Sequence, residues 1–144
     1  MVIKSTKNIV LLPIKPKYAH AILEGKKTVE FRKMQFKRDV SHVVIYSSSP
    51  EMKVVGYFEI DKVDEGCPMT IWKKYRMYGG INFKNYTQYY ERRKSAVAIV
   101  INKVIVLPKP ISLSCLKRGL KPPQNFRYLD SRYLKKLILE GLEV

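Results

Sequence analysis

The chain has 144 residues, room for one domain but not for two full-sized cores. Its 46% hydrophobic content supports a buried core, while no apolar run approaches the ~18 residues that would suggest a membrane span. Lys and Arg total 28 against 12 Asp and Glu, a net charge of +16 whose field favours polyanions such as nucleic acid. The lysines are dispersed rather than gathered in a tail, which argues for a charged folded surface over a disordered basic arm. The start, MVIKSTKNIVLLPIKPK, has no long apolar stretch and no small-residue cleavage site, so no signal peptide is expected. Cys67 and Cys115 lack metal-ligand spacing, and His20 and His42 are the only histidines. No metal or cofactor is expected, and two reduced thiols suit a cytoplasmic protein.

In chain order, NIVLLPI (8–14) is a short apolar run that reads as a buried strand, ended or bulged by Pro13. Pro16 suits a first helical turn, and Tyr18, Ala19, Ile22 and Leu23 follow at helical spacing. Gly25 then caps the helix, with Lys26 and Lys27 beside its negative end. KTVEFRK (27–33) predicts a second strand, Val29 and Phe31 on one face and Thr28, Glu30 and Arg32 on the other. HVVIYSSSP predicts a third strand running into a serine turn. MKVVGYFEIDKV predicts a fourth, in which Gly56 marks a bulge or a close backbone approach.

Two helices are predicted next, PMTIWKKYRMYGG between Pro68 and Gly79-Gly80, and NFKNYTQYYERR with Asn82 as N-cap. SAVAIVINKVIVL is a long strand with a bend near Asn102 and Lys103, and PISLSCLKRGL a strand end with one helical turn. PPQNFRYLD reads as a proline-stiffened loop. SRYLKKLILEGLEV reads as an amphipathic helix with Leu134, Leu137, Ile138 and Leu142 on one face. Five or six strands outnumber the helices and do not alternate with them, which points to an α+β fold built on a small mixed β-barrel, with a helix after the first strand, a helical insertion and a C-terminal helix.

Four stretches in this order, IKPKYAHAILEGKKTVEFRK, VVIYSSSP, KVVGYFEIDKV and the later AVAIVI with PPQNFRYL, resemble the ASCH domain, a branch of the PUA-like superfamily. Gly25, Lys27 and Arg32 match its most recognisable spacing. The resemblance covers roughly residues 9–129, leaving 130–144 as an accessory helix of one domain. It implies a PUA-like mixed barrel with a cleft beside the first helix, and RNA or another nucleic acid as the partner, in the manner of transcriptional or translational regulators. Some relatives are amidohydrolases that deacetylate acetylcytidine, and at least one is a ribonuclease. Lys27 matches the catalytic lysine of the amidohydrolases. Their threonine position is Glu30 here, and WKKYRMYGGINFKNYTQYY contains no acid to supply their glutamate. The non-covalent binder is therefore the leading expectation and a small hydrolase the alternative.

Within that frame Lys15, Lys17, Lys27 and Arg32 are expected to surround the cleft with positive charge. Lys15 and Lys17 flank Pro16 at a helix N-terminus, where backbone amides favour anions, although solvated lysines look the same in sequence. Arg32 offers a planar forked donor, and Glu30, two residues away, shares its face and can orient it. Glu30, Ser48 and Gln124 are candidates for orienting hydrogen bonds, and Arg127 extends the basic surface. Trp72 sits at helical spacing with Ile71 and Tyr75 and reads as core. Tyr89 and Tyr90 cannot both face inward, so one of them is a candidate platform for an unpaired base.

Overall fold

The computed structural model describes residues 8–142. Among these, six strands form one mixed sheet: β1 (Asn8–Ile14), β2 (Val29–Arg32), β3 (Val40–Ser47), β4 (Lys53–Gly66), β5 (Ala96–Ile111) and β6 (Arg127–Leu129). Their spatial order is β2-β5-β4-β3-β1-β6. β1 and β3 are parallel, and every other neighbouring pair is antiparallel. Parallel neighbours need a crossover. Helix α1 (Pro16–Leu23) and β2 supply it.

The helices appear where the caps predict them. α1 opens on Pro16 and closes in a paired C-terminal turn, Gly25 donating to Ile22 O and Lys26 to Ala21 O, with Gly25 at φ +78°. α2 (Pro68–Tyr75) again starts on proline. α3 (Phe83–Tyr89) is capped by the Asn82 side chain, which accepts from the Asn85 amide at 2.8 Å. A short α4 (Leu113–Leu116) follows β5, and α5 (Arg132–Leu142) ends the described chain.

Three apolar clusters cover the sheet. One gathers Leu11, Val44, Leu107, Leu116 and Leu137 beneath α4 and α5. A second packs Val10, Leu12, Ala19, Ile22 and Phe58 beneath α1. The third places Val29 and Phe31 of β2 against Ile71, Tyr75, Tyr86 and Tyr90 of the two insertion helices, and Trp72 joins its margin as expected. No helix among the described residues is long and apolar enough to cross a membrane.

Two irregularities predicted from sequence have visible causes. Gly56 sits at a register shift in β4, where an added Cβ would lie 2.5 Å from the Ile105 carbonyl oxygen. In β5, Lys103 faces Glu59 and Ile101 faces Ile60, so Asn102 is the extra residue of a bulge, and its amide donates to Glu59 Oε1 at 2.9 Å.

Three expectations need correction. The sheet does not close into a barrel: β2 and β6 are both edges. The PPQNFRYLD segment is not all loop, because Arg127–Leu129 pairs with Ile9–Leu11 as β6. The apolar face of α5 is rotated from the one expected. Tyr133, Leu134 and Leu137 pack inward on the cluster built from α4 and β5, whereas Ile138, off that face, is 44% exposed. The side chain of Leu142 lies outside the described residues.

Gly56→Ala is expected to destabilise the fold by about 1–3 kcal/mol, since the obstacle is backbone and not a yielding side chain; the denaturant midpoint measures it. Asp64 of β4 accepts from Lys74 Nζ at 2.9 Å and Tyr75 Oη at 2.8 Å, tying α2 to the sheet. These two donors, Lys74 first, hold its carboxyl below the ordinary aspartate value. Its contribution to stability is therefore complete above the unfolded-chain value and fades as pH falls through the lower folded value. Asp64→Asn should flatten the acid limb of the stability curve, as thermal melts across the acid range would show.

Candidate nucleic-acid interface

The site grows from the end of α1. After the Gly25 turn, Lys27 donates its backbone N–H to Ala21 O, and both Thr28 and Val29 donate to the carbonyl of Tyr78 in the α2–α3 connection. The same connection carries Gly79 and Gly80. A Cβ on Gly79 would meet the Phe31 ring at 2.1 Å, and one on Gly80, at φ +62°, would press on the Lys27 stem at 3.2 Å. Both glycines let this loop lie directly on β2.

Lys27 is thereby buried, at 3% exposure. Its ammonium donates to Gly79 O at 2.5 Å and forms an ion pair with Glu30 Oε1 at 3.2 Å, beside the rings of Tyr18 and Phe31. Glu30 is 5% exposed, and its other oxygen, Oε2, accepts from Arg32 Nη1 at 3.2 Å. Arg32 continues across the sheet opening: Nη1 also reaches Pro13 O of β1 at 3.1 Å, and Nη2 reaches Asn125 O, just before β6, at 3.2 Å. The pairing of β6 stops at Leu11, so residues 12–14 of β1 have no strand partner on that side, and the guanidinium fills the role. Tyr90 holds the other end of the residue, its hydroxyl donating to Arg32 O at 2.6 Å.

The opening between β2 and the β1/β6 edge forms a cleft of about 640 Å³, within the ~300–1,000 Å³ typical of small-ligand sites. Lys15, Lys27, Glu30, Arg32 and Gln124 all line it. Lys17, Ser48 and Arg127 do not. Lys17 is exposed and stands 5.8 Å from the Tyr18 ring centre. Ser48 follows β3 and donates its amide to Ile14 O. Arg127 is exposed on β6. The cleft also gathers residues outside the expected set: Tyr18, Lys33, Asn85 and Gln88. Tyr89 lines it too, while Tyr90 is buried, as the mutual exclusion of their faces requires. Lys33 stands over the Tyr89 ring at 4.6 Å, and burial pushes that phenol above its ordinary pKa, keeping the ring neutral.

A second hollow of about 450 Å³ opens between the β2–β3 connection and β4. Asp39, Glu59 and Asp61 on its walls make it a poorer host for a polyanion. Among the described residues no group of three His, Cys, Asp or Glu side chains is placed to hold a metal ion.

An open mixed sheet with a helix after its first strand and a cleft beside that helix's first turn is consistent with a PUA-like protein. Residues 12–105 match the ASCH domain, and the chain belongs to that family. It is 29% identical over 127 residues to an ASCH domain-containing ribonuclease of Zymomonas mobilis, with 85% of each chain covered. The crystal structure of ASCH from Zymomonas mobilis superposes with a TM-score of 0.83 at 27% identity, covering 91% of this chain and 94% of that one. Two Ureaplasma parvum proteins are also similar, ATP synthase subunit alpha (34% over 124 residues) and the large ribosomal subunit protein uL22 (33% over 127). The matches cover 85% and 88% of this chain but only 15% and 40% of those two proteins.

The buried network has a mechanical consequence. Lys27→Met keeps the stem against Tyr18 and Phe31 but strips a buried carboxylate of one cation, and should cost roughly 3 kcal/mol. Lys26→Met, at a side chain 74% exposed, should leave the unfolding midpoint where it is.

Proposed function

We propose that the protein binds RNA through this cleft, seating an unpaired nucleotide between the first turn of α1 and α3. The observation that carries the reading is the composition of the cleft: tyrosine faces, amide side chains and cations converge on a single opening of nucleotide size. Stacking and backbone charge are how single strands are held without a helix to grip.

The cations divide the work. Lys27 and Arg32 are engaged with the protein's own carbonyls and carboxylate, so they shape the floor. Lys15, exposed at the rim, and Lys33, beside Tyr89, are better placed to meet phosphate. Glu91 is the one acidic residue of the sequence between Gly66 and Leu129, so the strand leaving the cleft would cross a surface poor in repelling charge. A regulatory role in transcription or translation fits such a binder.

Cleavage is the second reading. It is favoured by the similarity, along most of both chains, to the Zymomonas mobilis protein named as a ribonuclease. Incubating labelled RNA with the protein, with and without chelator, separates the two. Product that disappears in Lys27→Met, with the variant shown to be folded, supports cleavage in this cleft. Intact RNA under conditions of full binding supports the binder.

For the binding reading, the affinity for a short single-stranded RNA should fall steeply with salt. Lys15→Ala and Lys33→Ala should each lower the log–log salt slope by about one, whereas Lys62→Ala, in the acidic hollow, should change it less. Tyr89→Ala should cost about 1–3 kcal/mol of binding. Salt-insensitive affinity, or an effect of Lys62→Ala equal to that of Lys15→Ala, would count against the cleft.

A further inference from the structure

We propose that the cleft selects guanine, held through its ring N1–H and 2-amino group by the carboxylate of Glu30. The proposal deepens the RNA-binding reading and rests on it.

Glu30 is the one acid in the cleft lining, and it is more than nine-tenths buried. A carboxylate has about four acceptor directions, two on each oxygen. Lys27 pairs with Oε1 at 3.2 Å and Arg32 donates to Oε2 at 3.2 Å, so the group is fixed in orientation while each oxygen keeps an acceptor direction. A buried acceptor left unmet by a ligand costs free energy, so the favoured ligand edge is the one that brings donors to both oxygens.

The Watson–Crick edges of the four RNA bases differ in this respect. Uracil presents a single N–H between two carbonyls, and those carbonyls would face the carboxylate. Cytosine and adenine each present one amino group next to a ring nitrogen lone pair, which again opposes the second oxygen. Guanine alone sets two donors side by side, a match for a carboxylate. Its O6 then falls on the flanking cation. The Lys27 ammonium has three donors, of which Gly79 O takes one, while Glu30 balances the charge. Tyr18 and Tyr89 on the cleft walls supply faces for the ring.

The test uses the full chain and fluorescence anisotropy with labelled oligouridine carrying one central guanosine, inosine, adenosine or cytidine. The guanosine strand is expected to bind about tenfold or more tightly than the all-uridine strand. Inosine, which keeps N1–H and O6 but lacks the 2-amino group, is expected to lose most of that gain. E30Q, confirmed as folded by its thermal transition, is expected to lose the guanosine preference, because a carboxamide offers one acceptor and one donor. If E30Q does not fold, the inosine comparison on the wild-type chain decides alone. Equal affinity for all strands, inosine matching guanosine, or an undiminished preference in folded E30Q would each overturn the guanine assignment while leaving RNA binding in place. Guanosine monophosphate competing as effectively as the oligonucleotide would assign the same base contact to a free nucleotide and overturn the strand-binding reading. No binding of any strand or of the mononucleotide would overturn both.

Discussion

The structure depends on one side chain spanning a gap that backbone hydrogen bonds leave open. β2 and β6 lie at opposite edges of the sheet, and no ladder joins them. Arg32, from β2, donates to Pro13 O in β1 and to Asn125 O before β6. A guanidinium suits this task because its rigid fork can address three acceptors from one plane. Proline in β1 suits it too: Pro13 has no N–H, and β6 does not extend to it, so its carbonyl is free to take a side-chain donor. The cleft is what remains of the opening around this bridge.

The bridge places a charge where solvent is scarce, and the compensation for that charge organises the rest of the floor. Glu30 neutralises Arg32, and Lys27 pairs with the second oxygen of Glu30. Buried ion pairs bring little net stability compared with apolar packing, yet breaking one is costly. The trio is better understood as fixing geometry than as supplying affinity for phosphate. Its cations are committed to internal acceptors, so the long-range attraction of a polyanion comes from exposed lysines and arginines, while the floor presents oriented hydrogen-bonding groups to whatever enters. Long-range charge and short-range recognition thus reside in different residues, although both were drawn from the same basic composition.

The sequence made the local part of this legible. Proline, glycine and asparagine at helix ends specify α1 and α3 through their own backbone preferences, and the parity of β2 separates Val29 and Phe31 from Glu30 and Arg32. Gly56 and Asn102 announced irregular positions because strand interiors disfavour both residues. The parts that escaped are those decided by distant partners. Arg32 and Asn125 are ninety-three positions apart, and a carbonyl acceptor leaves no trace in residue identity. β6 is three residues long, too short for alternation to register. The α5 face was misjudged because spacing alone cannot say how wide a neighbouring surface will be. Lys33, Asn85 and Gln88 escaped for the same reason, since an exposed polar residue beside a cleft looks in sequence like any other exposed polar residue.

This division has a bearing on how function is assigned to the trio. Lys27, Glu30 and Arg32 hold β2 to the insertion loop, to β1 and to the segment before β6, and they also line the cleft. Loss of binding or of catalysis on removing any of them therefore speaks about ligand chemistry only in a variant shown to be folded. Information about ligand chemistry comes most directly from changes that leave the bridge intact: rim cations, the Tyr89 face, and alterations to the ligand. A base that fits should bind according to the donors it brings to a carboxylate already oriented by its two cations, and that orientation exists before any ligand arrives. Preorganisation of this kind lowers the cost of ordering on binding, which gives a physical reason for a basic protein to keep a paired acid at the bottom of its nucleotide-sized cleft.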